Sequence, residues 1–217
     1  MGRRFVDQRR RDPYYRAAQE EGLRSRAAFK LVYLDDRFHF LHPGARVLDL
    51  GAAPGGWSMV ALDRVGRSGE VVAVDPRPVA PAQGLRVVRA RVGEPGLDAR
   101  LGPESFDVVL SDMSPSISGA YSTDHARSVE LVRLAYRLAR RVLAPGGAFV
   151  AKVFAGDMLD ELVGELRPSF GRVLRTKPPA SRAPSSELYV VALKFRHDSR
   201  RELGSEAAVA SRPGPAI

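Results

Sequence analysis

The segment VLDLGAAPGGWS, Val47 to Ser58, constrains this chain more than any other. Its apolar run has the character of a buried strand, and it breaks at once into a Gly-rich turn followed by a helix-like stretch. Gly51, Gly55 and Gly56 let backbone approach a ligand and take up dihedrals that a Cβ disfavours. At the carboxyl end of a strand, such a turn lies where open α/β sheets bind their ligands. The next apolar run, VVAVD, ends in Asp75, where a carboxylate can accept hydrogen bonds from both hydroxyls of a ribose. Either feature alone is ordinary loop chemistry, but the two in register argue for a cofactor site.

The spacing indicates which cofactor. A dinucleotide fold uses G-x-G-x-x-G, whose backbone N–H groups receive a pyrophosphate at a helix N-terminus. Here the glycines fall at 51, 55 and 56, and Pro54 removes a donor. The pattern suits a nucleoside cofactor without phosphates, of which S-adenosyl-L-methionine is one.

Beyond this turn the chain alternates. Strands are predicted at 46–50, 70–74, 86–90, 106–111, 147–153, 171–176 and 187–195, with helices at 56–65, 124–143 and 157–167. Val129, Val132, Ala135, Leu138 or Ala139, and Val142 give the longest helix one buried stripe, and Ala144-Pro145-Gly146-Gly147 is expected to stop it. A short helix from Pro13 to Glu21 ends at Gly22. Ser25 caps another that carries Ala28, Phe29, Leu31, Val32 and Leu34 and closes near His42-Pro43-Gly44. The alternation predicts an α/β fold of the Rossmann-like type, a mostly parallel seven-stranded sheet with helices on both faces. The last two strands are expected to close it as an antiparallel, hairpin-like edge. A single domain over 13–196 follows, with a basic arm at 1–12 and a disordered tail of small residues, Gly and Pro at 197–217.

Composition narrows the chemistry. The 217 residues contain no cysteine, which excludes disulfides, thiolate metal sites and a cysteine nucleophile of the kind C5-pyrimidine methylation uses. Four scattered histidines offer no metal-like spacing. No segment is apolar enough to span a bilayer and the N-terminus has no apolar signal core, so a cytoplasmic protein is expected, and a monomer for want of an apolar docking face. The net charge of +9 is uneven: residues 1–30 hold nine Lys and Arg against four Asp and Glu, and residues 171–201 hold eight against two. Basic ends around a near-neutral middle form a footprint for a polyanion. Only Lys30, Lys152, Lys177 and Lys194 are lysines. In a chain that otherwise uses arginine, a lysine suggests a task arginine cannot do, such as losing its proton.

The remaining candidates converge on the same rim as Gly51 and Asp75. Asp112 follows the strand FDVVLS and opens SDMSP, Lys152 ends GAFVAKVF, and Glu187 opens ELYVV. Lys30 sits on the N-terminal helix that can fold over that rim. Two acids and two lysines thus face one cleft.

In these words the chain resembles the FtsJ/RrmJ (RlmE) family of ribosomal RNA 2'-O-ribose methyltransferases. DPYYRAAQEEGLRSRAAFKL, VLDLGAAPGGWS, VVAVDP, SDMSP, VLAPGGAFVAKVF and SRAPSSELYVVA cover residues 12–193 in the family's order and spacing. The resemblance implies that Lys30, Asp112, Lys152 and Glu187 are the catalytic tetrad, with Lys152 the general base that takes the 2'-hydroxyl proton. It implies S-adenosyl-L-methionine held by Gly51, Gly55, Trp57, Asp75 and Asp112, and 23S rRNA in the 50S subunit as partner, most closely at an A-loop uridine. Other RNA such as tRNA, and a role as an inactive ribosome assembly factor, are the competing readings. Arg24, Arg26, Arg175, Lys177 and Arg182 flank the cleft as candidate phosphate contacts. One position departs from the pattern: Arg91 stands where relatives place an adenine-contacting acid, and it cannot accept that hydrogen bond. Either backbone, Glu94 or Asp98 replaces it, or affinity for the cofactor is weaker.

Overall fold

The computed structural model describes residues 27–180 and 186–196. The expected arm at 1–12, the helix at 13–21, the Ser25 cap and the tail at 197–217 lie outside the described residues. The order of elements is α1 (Ala27–Phe38), β1 (Arg46–Leu50), α2 (Gly56–Val65), β2 (Glu70–Val74), β3 (Leu85–Val88), α3 (Leu97–Leu101), β4 (Phe106–Ser111), α4 (Tyr121–Val142), β5 (Leu143–Phe154), α5 (Leu159–Leu166), a 3-10 turn at Arg167–Ser169, β6 (Phe170–Thr176) and β7 (Glu187–Phe195).

The strands form one seven-stranded sheet in the order β3-β2-β1-β4-β5-β7-β6. β1 to β5 pair in parallel, and β7 runs antiparallel to both β5 and β6. The parallel strands are buried on both faces, so they read as continuous apolar runs rather than alternating ones. On one face Ala28, Leu31 and Leu34 of α1 and Trp57 and Val60 of α2 share a cluster with Tyr189 of β7. On the other, Val129, Val132, Ala135 and Leu138 of α4 join Leu162 and Leu166 of α5 over Phe149 and Phe170.

Several boundaries differ from expectation for local reasons. α1 stops at Phe38, before the His42-Pro43-Gly44 turn, because His39 takes φ 52° while its N–H still bonds the Asp35 carbonyl. The Asp35 carboxylate then accepts the Leu41 N–H at 2.9 Å, turning the chain toward β1. Ala144-Pro145-Gly146-Gly147 does not separate α4 from a later strand. β5 begins at Leu143, pairs with Phe106, and crosses an irregularity before Ala148 pairs with Val108. The last two strands close this edge as the expected antiparallel pair, with β7 against β5 and β6 outermost. α3 has no counterpart among the expected elements; its Leu97 and Leu101 are buried one turn apart.

Candidate active site

The site is built at the carboxyl ends of β1, β2, β4 and β5. Gly51 leaves β1 with φ 75°, and its N–H bonds the Val74 carbonyl at the end of β2. A Cβ on Gly51 would stand 2.7 Å from the Met113 side chain and 3.1 Å from its backbone, so the turn accommodates no larger residue there. Gly55 caps α2 in the left-handed region at φ 107°. Between them, β1 and the end of β4 are drawn level by the Asp112 N–H, which bonds the Leu50 carbonyl at 3.2 Å.

A cleft of about 660 Å³ opens over this rim. Gly51, Asp75 and Asp112 line it together with the apolar Val92, Leu131 and Leu134. These are surroundings suited to an adenosine: acid near a ribose, hydrocarbon around a base. Asp75 is buried, and its carboxylate accepts the N–H of Ala53 at 3.0 Å and that of Arg77 at 2.8 Å. The Arg77 guanidinium also reaches it, at 3.2 and 3.3 Å. Burial pushes the Asp75 carboxyl up, but the Arg77 side chain and the two backbone donors outweigh it and hold the group below its ordinary range.

Next to the cleft, a narrow hollow is lined by Asp49, Gly51, Trp57 and Asp112. Asp49 is fully buried in β1. One of its carboxylate oxygens accepts the Ser58 hydroxyl at 2.6 Å, and the other, Oδ1, has no hydrogen-bond partner. Burial pushes its carboxyl up to about 7, against the Ser58 hydrogen bond and with the charges of Asp112 and Asp75 adding to the rise. An orphaned buried acceptor beside a Gly-rich turn suits a cationic group, as the amino-acid end of S-adenosyl-L-methionine carries.

The tetrad residues assemble through sheet register. Lys152 pairs with Tyr189, and Phe154 with Glu187, across β5 and β7. Alternate residues of a strand share a face, so Lys152, Tyr189 and Glu187 project from the same side of the sheet, with Asp112 just beyond β4. Lys152 Nζ lies 3.1 Å from Asp112 Oδ1 and donates to the Asp112 carbonyl at 2.9 Å. Lys30 Nζ donates to Glu187 Oε2 at 2.5 Å. Both ammonium groups are nearly enclosed, Lys30 with 4% and Lys152 with 8% of its surface exposed. Lys30 is brought there by α1, which Trp57 fastens to the turn: its indole N–H donates to the Ala27 carbonyl at 2.8 Å.

Tyr189 was not anticipated, and it joins the two ion pairs. Its hydroxyl donates to Asp112 Oδ1 at 3.1 Å, Lys30 Nζ lies 5.8 Å from its ring centre, and its ring packs 5.7 Å from Trp57. Asp49 and Arg77 were missed as well.

Other candidates stand apart. Arg24, Arg26 and Arg182 lie outside the described residues. Arg175 is on β6 and pairs with Asp160 at 2.6 Å, while exposed Lys177 follows β6 on the rim shared with Glu187. Arg91 lines the cleft. Its N–H is taken by Glu94, and Asp98 is drawn off by Arg141 at 2.7 Å, so both candidate replacement acids are engaged elsewhere.

The FtsJ-like methyltransferase family model matches residues 23–195. The chain belongs to that family. This methyltransferase is 44% identical over 207 residues to ribosomal RNA large subunit methyltransferase E of Methanothermobacter thermautotrophicus, covering 93% of this chain and 98% of that one. It is 46% identical over 196 residues to the enzyme of the same name from Granulibacter bethesdensis, covering 89% and 84%. A crystal structure of a Plasmodium falciparum protein described as a ribosomal RNA methyltransferase superposes with a TM-score of 0.73 at 27% identity, over 79% of this chain and 98% of that one. Among the described residues, no helix is long and apolar enough to cross a membrane.

Proposed function

We propose that this methyltransferase moves a methyl group from S-adenosyl-L-methionine to a ribose 2'-hydroxyl of large-subunit ribosomal RNA, at an A-loop uridine of 23S rRNA, working as a cytoplasmic monomer on the 50S subunit. The observation that carries the reading is the double lysine–carboxylate cluster, Lys152–Asp112 and Lys30–Glu187, joined by Tyr189 and opening beside the cofactor cleft. The names of the relatives support rRNA as the acceptor.

Gly51, Gly55, Trp57, Asp75 and Asp112 would hold the cofactor, with Asp49 Oδ1 facing its amino-acid end. When bound, S-adenosyl-L-methionine supplies an electrophilic methyl on a sulfonium. The chain's own task is to make a poor nucleophile attack it. Lys152, in its neutral form, accepts the 2'-hydroxyl proton as the oxygen attacks in line. Asp112 and Tyr189 fix the position of the Lys152 amine, since a base must lie within hydrogen-bond reach of the proton it takes. Lys30 and Glu187 orient the ribose from the other side. Arginine at 152 could keep the ion pair but could not act as base.

The test is transfer of labelled methyl to undermodified 50S subunits, naked 23S rRNA and tRNA, with nuclease mapping of the product. A 2'-O-methyluridine in the A loop is expected. Label on tRNA alone would keep the chemistry and move the target. Cofactor binding with no label on any RNA would favour an inactive ribosome assembly factor.

A further inference from the structure

Four charged residues line the cofactor cleft: Asp75, Arg77, Arg91 and Asp112. Three of them are answered. Arg77 pairs with Asp75 at 3.2 Å, and Asp112 with Lys152 at 3.1 Å. The exposed Arg91 is not: among the described residues its guanidinium makes no hydrogen bond and no ion pair. Only its main chain is engaged, the N–H by the Glu94 carboxylate at 2.9 Å and the carbonyl by the Glu94 N–H at 3.0 Å. That carboxylate also meets Arg100 at 3.4 Å, and Glu94 does not line the cleft. Arg91 thus brings a side chain with donors alone to the cleft, and those donors are unspent.

The sheet order β3-β2-β1-β4 decides what lies opposite them. Asp75 follows β2, while Gly51 and Asp112 follow β1 and β4. A nucleoside whose ribose rests on Asp75 and whose amino-acid end points toward Asp49 of β1 has its base on the remaining side, over the end of β3. There the lining consists of Ala90, Arg91 and Val92, which follow β3, and of Leu131 and Leu134 from α4. The two parts meet closely, since a Cβ on Gly93 would stand 2.9 Å from Leu134 Cδ1.

Apolar side chains hold a base by its faces but do not tell one purine from another, which is done by hydrogen bonds to its edge. Asp75 and Asp112 are the carboxylates that line the cleft, and both lie toward the ribose and the amino-acid end. None is left to accept from a 6-amino group. An arginine recognises acceptors instead: N7 of any purine, and together with it O6 where the purine carries a 6-oxo group.

We propose that Arg91 reads the acceptor edge of the cofactor's purine, so that this cleft does not select the 6-amino group of adenine and takes a 6-oxopurine nucleoside in the same place. The proposal rests on the cofactor orientation given above, with the ribose at Asp75. It makes Arg91 a specificity determinant for the base alone, apart from the residues that hold the ribose and the amino-acid end.

Calorimetric affinities for S-adenosyl-L-homocysteine and its 6-oxo counterpart S-inosyl-L-homocysteine, measured on wild type, Arg91→Ala and Arg91→Glu, test it. Wild type is expected to bind the two within about tenfold of each other, whereas a site built to hydrogen-bond an amino group rejects a ligand lacking it by about 10⁴-fold. Arg91→Ala is expected to weaken the inosyl ligand more than the adenosyl one. Arg91→Glu is expected to move the ratio toward the adenosyl ligand by about tenfold or more, because a carboxylate accepts from an amino group and repels a carbonyl oxygen. A wild-type preference for the adenosyl ligand above about tenfold would overturn the proposal, since a main-chain acceptor would then read the amino group. So would a ratio unchanged in either variant, which would set Arg91 apart from the base. Asp75→Asn separates that failure from failure of the orientation: it is expected to weaken both ligands alike, and affinities unchanged by it would overturn the ribose placement and this proposal together.

Discussion

Lys152 touches Asp112 twice, through the carboxylate Oδ1 at 3.1 Å and through the main-chain carbonyl at 2.9 Å. The second contact needs no charge on Lys152, since a carbonyl accepts from an amine as it does from an ammonium. The geometry therefore holds the Lys152 nitrogen at the carboxyl end of β4 in either protonation state, as a group that cycles between the two requires.

Tyr189 shares the same carboxylate oxygen, donating to it at 3.1 Å. Tyr189→Phe removes that donor while leaving the ring against Trp57. A hydrogen bond of this kind is worth about 1 kcal/mol net, which corresponds to a loss in kcat of less than about tenfold. Single-turnover methyl transfer measures it, and cofactor affinity is expected to be unchanged.

Lys30 and Glu187 form a largely enclosed pair, with 5% and 21% of their side chains exposed. Removing one partner of a buried pair leaves an uncompensated charge, whereas removing both leaves none. Glu187→Gln alone is thus expected to be less stable than the double variant Lys30→Met/Glu187→Gln, with a coupling on the order of 1 kcal/mol or more in urea unfolding. Additive effects would mean that the pair is not coupled.

Asp49 gives a pH dependence of definite sign. Burial raises its carboxyl in the folded protein to about 7, above the ordinary value of 3.8. Between those values the folded state keeps the proton and the unfolded chain releases it, so stability contributed by this group falls as pH rises from about 4 to about 7 and is level above that. Asp49→Asn carries no proton to lose, and its unfolding free energy is expected to lack this descending component. Denaturant unfolding from pH 4 to pH 8, compared between the two proteins, is the measurement. Parallel profiles would contradict it.

Arg77 occupies the Asp75 carboxylate, the group proposed above to hold the cofactor ribose. Arg77→Ala leaves Asp75 with its backbone donors from Ala53 and residue 77, and frees its outward lone pairs. Tighter binding of S-adenosyl-L-methionine by calorimetry is the expected outcome, and weaker binding would show that Arg77 orients Asp75 for the ribose rather than competing with it.

The part of the site legible in the sequence was the part written in local chemistry. Gly51, Gly55 and the strand-terminal Asp75 and Asp112 announce themselves because a turn and a strand end are set by near neighbours. Lys152 stood out because lysine is scarce in this chain. Tyr189 could not be found in that way: inside ELYVVALKF it reads as a core aromatic, and only the register of β5 against β7 sets it opposite Lys152. The antiparallel edge pair was legible, but which of its two strands lies against β5, and in what register, is set by long-range pairing. Asp49 reads as an ordinary acid within VLDL until α1 and α2 cover it. Arg77 lies two residues past Asp75, in a loop whose folding back no periodicity signals. α3, at five residues, is too short to show a helical repeat.

The central claim is that Lys152 is the base, and one comparison tests it most directly. Wild type, Lys152→Ala and Lys152→Arg are loaded with labelled S-adenosyl-L-methionine, their cofactor affinity is measured by calorimetry, and single-turnover transfer to undermodified 50S subunits is followed with nuclease mapping of the 2'-O-methyl product. General-base catalysis contributes about 10²–10⁴-fold, so both variants are expected to bind cofactor as wild type does and to lose transfer by at least about a hundredfold. Transfer by either variant within about tenfold of wild type, at the same nucleotide, would contradict the account, because that range is too small for the loss of a proton acceptor.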